Sequence, residues 1–127
     1  MRVILFVAVC LCLINCRKED VPKGTAGPGG SSTLKITPRH HNTDIYSSTV
    51  YIKYNAQDAP SSFDDSAICV QENGEPVATF TQLKQGQYYL LAKGWDATIS
   101  EDVIGGLPFT ISADSTYVIS LPVTEEH

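Results

Sequence analysis

Cysteine is scarce where a domain could use it: of four in 127 residues, Cys10 and Cys12 lie in an apolar leader, leaving Cys16 and Cys69. Two cysteines cannot make a disulfide framework. Basic residues are outnumbered, nine Lys and Arg against fourteen Asp and Glu, for a formal charge of −5. With no basic stripe in the order of residues, repulsion excludes nucleic acid as a partner. The one long apolar run, Val3 to Ile14, is twelve residues and too short to anchor a chain across a bilayer. Nucleophile-elbow, Gly-rich phosphate-loop and calcium-loop spacings are missing too, so neither a catalytic centre nor a cofactor or metal is expected.

What is present begins with an address. Met1-Arg2 followed by the apolar run reads as a cleavable export signal over residues 1–15. The switch from Leu13-Ile14-Asn15-Cys16 to Arg17-Lys18-Glu19-Asp20 resembles a bacterial lipoprotein box, although Asn15 stands where Gly, Ala or Ser is usual. The resemblance implies that Cys16 becomes the acylated N-terminus and that membrane lipid is its partner. The acidic pair Glu19-Asp20 resembles the short signal that directs some lipoproteins to the outer face of the outer membrane. Residues 16–32, rich in Gly and Pro without apolar periodicity, read as a lipidated flexible tether.

From residue 33 to 124 the pattern is that of strands, with 125–127 left as a tail. Leu34 and Ile36 alternate with Lys35 and Thr37 until Pro38, which is expected to end or bend the strand. Val50, Ile52 and Tyr54 share an inward face. Ser66 to Gln71 is a short strand before the Asn73-Gly74 turn, and Val77 to Leu83 precedes a break at Lys84 to Gly86. Tyr88, Leu90 and Ala92 then face inward, as do Leu107, Phe109 and Ile111, and Tyr117, Ile119, Leu121 and Val123. Leu83-Lys84-Gln85-Gly86-Gln87-Tyr88 has the spacing of a tyrosine corner. Seven short strands without a helical period predict an all-β, seven-stranded antiparallel sandwich. Parity turns Tyr51, Tyr89 and Leu91 outward as an apolar stripe and candidate contact surface.

Ser48 to Tyr54, Gly74 to Phe80, Leu83 to Leu90, Lys93 to Asp96 and Gly105-Gly106 together resemble the transthyretin-like, or carboxypeptidase-regulatory-like, domains of small bacterial lipoproteins. The resemblance implies an Ig-like sandwich that serves as an accessory module. It does not extend to the Tyr-Arg-Gly-Ser end of transthyretin-like hydrolases, because this chain ends Pro-Val-Thr-Glu-Glu-His. His40-His41 invites a metal hypothesis, but neighbours on a strand point to opposite faces and cannot chelate one ion, and His127 has no assignable partner. Asp64-Asp65 and the Asp96, Glu101-Asp102 group could supply oxygen ligands to calcium, but their spacing matches no calcium loop and they read as solvated loops. Lys35 and Lys53 lack an Asn or Asp on the last strand for an isopeptide crosslink. Cys69, in Ala67-Ile68-Cys69-Val70 with no neighbouring base, reads as a small core hydrophobe. The functional expectation is a non-catalytic lipoprotein at the outer membrane that engages a protein or glycan partner. The alternative is a structural subunit of a surface complex, and a small hydrolase is the remote third.

Overall fold

A side-chain period of two runs through strands such as Ser47–Tyr54 and Gly86–Asp96 of the computed structural model, which describes residues 25–126. The expected export signal, Cys16, Glu19-Asp20 and His127 lie outside the described residues. Ten strands form among the described residues: β1 (Pro28–His40), β2 (Thr43–Asp44), β3 (Ser47–Tyr54), β4 (Asp65–Ile68), β5 (Val70–Glu72), β6 (Glu75–Leu83), β7 (Gly86–Asp96), β8 (Glu101–Ile111), β9 (Thr116–Pro122) and β10 (Thr124–Glu125). In the first sheet β1 lies between β9 and β6, β5 flanks β6, and β2 folds back on the end of β1. The second sheet runs β10-β8-β7-β3-β4. Leu34, Ile36, Ala78, Phe80, Ile119 and Leu121 of the first sheet join Val50, Ile52, Tyr88, Leu90, Ala92 and Ile111 of the second in one buried cluster. The inward faces expected from alternation are therefore the core, with Tyr54, Leu107, Phe109 and Tyr117 packed at its margin.

The strand count is ten and not seven, and each difference has a local cause. Strands β2 and β10 are two residues each, too short to show alternation. Ser66 to Gln71 is divided at Cys69, whose amide donates to Ser48 O at 2.9 Å while the chain passes from β3's partner to β6's. Cys69 itself is buried, and that burial pushes its thiol pKa up, as a core hydrophobe requires. The sandwich also contains one parallel pair, β1 with β9 from Thr33↔Thr116 to Arg39↔Pro122, which alternation cannot distinguish from antiparallel pairing.

Pro38 does not end β1. Its carbonyl accepts the Ile45 amide at 3.1 Å, and a strand residue's N–H and C=O share a direction, so the absent donor faces the edge where pairing with β6 stops at Ile36↔Ala78. Residues 25–32, expected to belong to the tether, are instead part of the fold. Gly30 permits this: a Cβ there would lie 2.2 Å from Leu83 O, so β1 approaches the end of β6 only without a side chain.

Tyr88 closes this end. Its hydroxyl donates to Lys84 O at 2.7 Å, the contact expected of a tyrosine corner, and accepts the Gly27 amide at 2.8 Å. A second donor nearby, the Ala26 amide, reaches Asn55 Oδ1 at 3.0 Å. The glycines that suggested a loose stalk thus hold the start of β1 against the β6–β7 turn.

Candidate functional site

Two regions of the sandwich present chemistry. On the outer face of the second sheet, register sets Tyr51 opposite Leu91, with Tyr89 two residues along β7. All three are half-buried. Phe63, from the connection between β3 and β4, lies against Tyr51 with ring centroids 5.6 Å apart, and the Tyr89 hydroxyl leans over Gly106. The stripe exists, but neighbours on the same face cover part of it. More exposed on that face are Trp95 at 45% and Ile68 at 73%, which strand parity alone did not single out.

The second region is the end of the sandwich where β1 stops. His40 faces inward in step with Leu34, Ile36 and Pro38, and is buried. Asp96 ends β7 and is buried as well, with its Oδ2 2.7 Å from His40 Nδ1. Its other oxygen, Oδ1, accepts from the Thr98 amide at 2.9 Å and the Thr98 hydroxyl at 2.6 Å, an Asx-type turn that opens the β7–β8 connection. Hydrogen bonds from Thr98 and then His40 hold the Asp96 carboxyl below the usual carboxylate range. An ionised Asp96 only accepts, so Nδ1 of His40 carries a proton toward it.

Glu125 reaches Nε2 because the chain changes sheets at its end. The Val123 amide donates to Arg39 O at 2.9 Å, and Glu125 then pairs with Val103 on β8. Glu125 Oε2 comes to 3.1 Å from His40 Nε2. The two atoms are close but not aligned, and Nε2 is buried without a hydrogen-bond partner among the described residues.

His41 completes the group. The argument that adjacent histidines diverge holds only on a strand, and β1 ends at His40. His41 has φ of 60°, in the left-handed region, which turns its ring back to a centroid distance of 4.4 Å from that of His40. Beside it Arg39 and Asp44 pair at 2.8 Å across β1 and β2 and steady the turn. One ligand atom each from His40, His41 and Glu125 lies within 4.8 Å of the others. The expectation that the two adjacent histidines point apart is thereby corrected, the reason being the backbone reversal at His41. Sequence offered the His-His pair but no sign of Asp96 or Glu125, which come from 56 residues away and from the sheet-switching end of the chain.

No protein-family model, curated protein or solved structure matches this chain.

Proposed function

We propose that this chain is a lipid-anchored envelope protein whose β-sandwich is a non-catalytic interaction or accessory module, held to the outer membrane through acylated Cys16 and displayed at the cell surface. The observation that carries the reading is the switch at Cys16, where twelve apolar residues give way to Arg17-Lys18-Glu19-Asp20. Thr25, the first residue of the described fold, stands nine positions later. Nine residues span at most about 32 Å, so a lipid on Cys16 keeps the Thr25 end of the sandwich near the headgroups. Strand β1 then carries the chain through thirteen residues, roughly 40 Å at the rise of a strand, to His40 at the opposite end. A single acyl chain binds only marginally, whereas each buried CH₂ adds about 0.8 kcal/mol, so several chains on one cysteine give a lasting anchor.

The surface offered to a protein or glycan is the outer face of the second sheet, with Tyr51, Tyr89 and Leu91 at its centre and Trp95 beside them. Aromatic side chains of this kind contribute large contact area with few rotors to freeze. Labelled palmitate fed to the producing cells is expected to enter the wild type and to be absent from Cys16→Ala. Equal labelling of both forms refutes the anchor.

A second reading has an observation of its own. Ile68 on β4 and Val70 on β5 are 73% and 60% exposed at adjoining sheet edges, and Val118 on the β9 edge is 80% exposed. Open edges with apolar residues can accept a further strand from another copy or a larger surface protein. Sedimentation of the detergent-extracted protein decides: the accessory module is expected to stay monomeric at high concentration, and concentration-dependent oligomers favour the structural subunit.

A further inference from the structure

We infer that His40 Nε2, a ring nitrogen of His41 and a carboxylate oxygen of Glu125 form a binding site for a divalent cation of the zinc class. Three features converge on it. Nε2 of His40 is buried, has no hydrogen-bond partner among the described residues, and lies 3.1 Å from a carboxylate oxygen. Nε2 and the Glu125 oxygen stand close with no hydrogen bond joining them, a pair of donor atoms that an ion held between them would complete. Nδ1 is in turn held by Asp96 at 2.7 Å, the carboxylate-behind-histidine arrangement that fixes the tautomer and raises the basicity of a metal-ligating imidazole.

The donor set decides the ion. Two imidazoles and one carboxylate suit zinc and its borderline neighbours, whereas calcium and magnesium call for oxygen ligands. In a tetrahedral zinc site, donors stand about 3.3 Å apart. The present atoms lie within 4.8 Å of one another, and the exposed His41 and partly exposed Glu125 can close that gap while His40 stays fixed. The charges balance: Glu125 in contact and Asp96 behind His40 offset a dication. His41 also lines a groove of about 490 Å³ with Arg39, Pro122 and Thr124, and the fourth position is left to water or to a ligand from outside the chain. The ion would tie the end of β1 to β10, joining the two sheets at the end of the sandwich away from Thr25.

Zinc titration of the full chain in detergent tests this, read by calorimetry and by competition with a colorimetric chelator. One ion per chain is expected. Changes behind a ligand cost about 10–100-fold in affinity, so Asp96→Asn should fall in that range, and His41→Ala and Glu125→Ala at or beyond its upper end. Both ligand variants sit at the rim, so their metal-free thermal midpoints should match the wild type, which separates lost binding from lost fold. The cobalt form should show ligand-field bands of a nitrogen and oxygen site with no thiolate charge transfer. Failure to take up zinc at submillimolar concentration, equal affinity in the wild type and both rim variants, or a thiolate band that assigns the ion to cysteine overturns the site.

Discussion

Tyr88→Phe is expected to lower the unfolding free energy by about 2–4 kcal/mol, because it leaves a buried donor and an acceptor unpaired while the core packing stays in place. The lost partners are the Gly27 amide at 2.8 Å and Lys84 O at 2.7 Å. The ring itself keeps its edge contact with Tyr54, centroids 6.0 Å apart, so the loss belongs to the hydroxyl. Urea denaturation measures the total, and hydrogen exchange at Gly27 gives its location: protection there should fall more than in the middle of β7. A variant within about 0.5 kcal/mol of wild type, with Gly27 still protected, would show that the corner does not hold β1. The same hydroxyl sets an alkaline limit. Burial raises the Tyr88 pKa above its ordinary value, so the folded state keeps a proton that the unfolded chain releases. Its contribution is therefore complete below the unfolded value near 10 and is lost as pH rises through the folded one.

Two adjacent glycines should respond very differently to the same substitution. At Gly105 an added Cβ would lie 2.0 Å from Pro122 O and 2.9 Å from Val123 Cα, backbone atoms at the point where the chain changes sheets. Neither can yield without moving β9 from β1 or β10 from β8, so Gly105→Ala is expected to cost about 3 kcal/mol, the upper end for overpacking. At Gly106 the Cβ would meet the Tyr89 hydroxyl at 2.2 Å, the free end of a side chain that can swing into solvent. Gly106→Ala should stay within about 1 kcal/mol of wild type, part of the clash being offset by the better strand propensity of Ala. Thermal unfolding of the two variants side by side checks the contrast, and equal costs would mean that the sheet change at Val123 is not tightly held. Because Glu125 lies two residues past Val123, Gly105→Ala should also disturb the histidine end.

Much of this architecture can be read from residue order, for a physical reason. Alternation at Val50 and Ile52, at Tyr88, Leu90 and Ala92, and at Ile119, Leu121 and Val123 reports which side of a strand meets the core, and these residues are buried. The tyrosine corner is legible because its partner lies four residues away, at Lys84. Alternation is silent on direction and partner, so the parallel pairing of β1 with β9 and the division of one apparent strand at Cys69 are not visible in it. Glycine frequency near residue 27 suggested looseness where close backbone approach was the use. The histidine end was hidden twice: a positive φ at His41 defeats the parity rule, and the Asp96 and Glu125 partners are delivered by long-range topology.

The central claim is that a sandwich starting at Thr25 is held at a membrane by lipid on Cys16. The intact mass of the protein extracted from membranes tests it most directly. The expected chain begins at Cys16, lacks residues 1–15, and is heavier than its sequence by a glyceryl group and its acyl chains. An unmodified Cys16 on a chain recovered from the culture fluid would contradict the account.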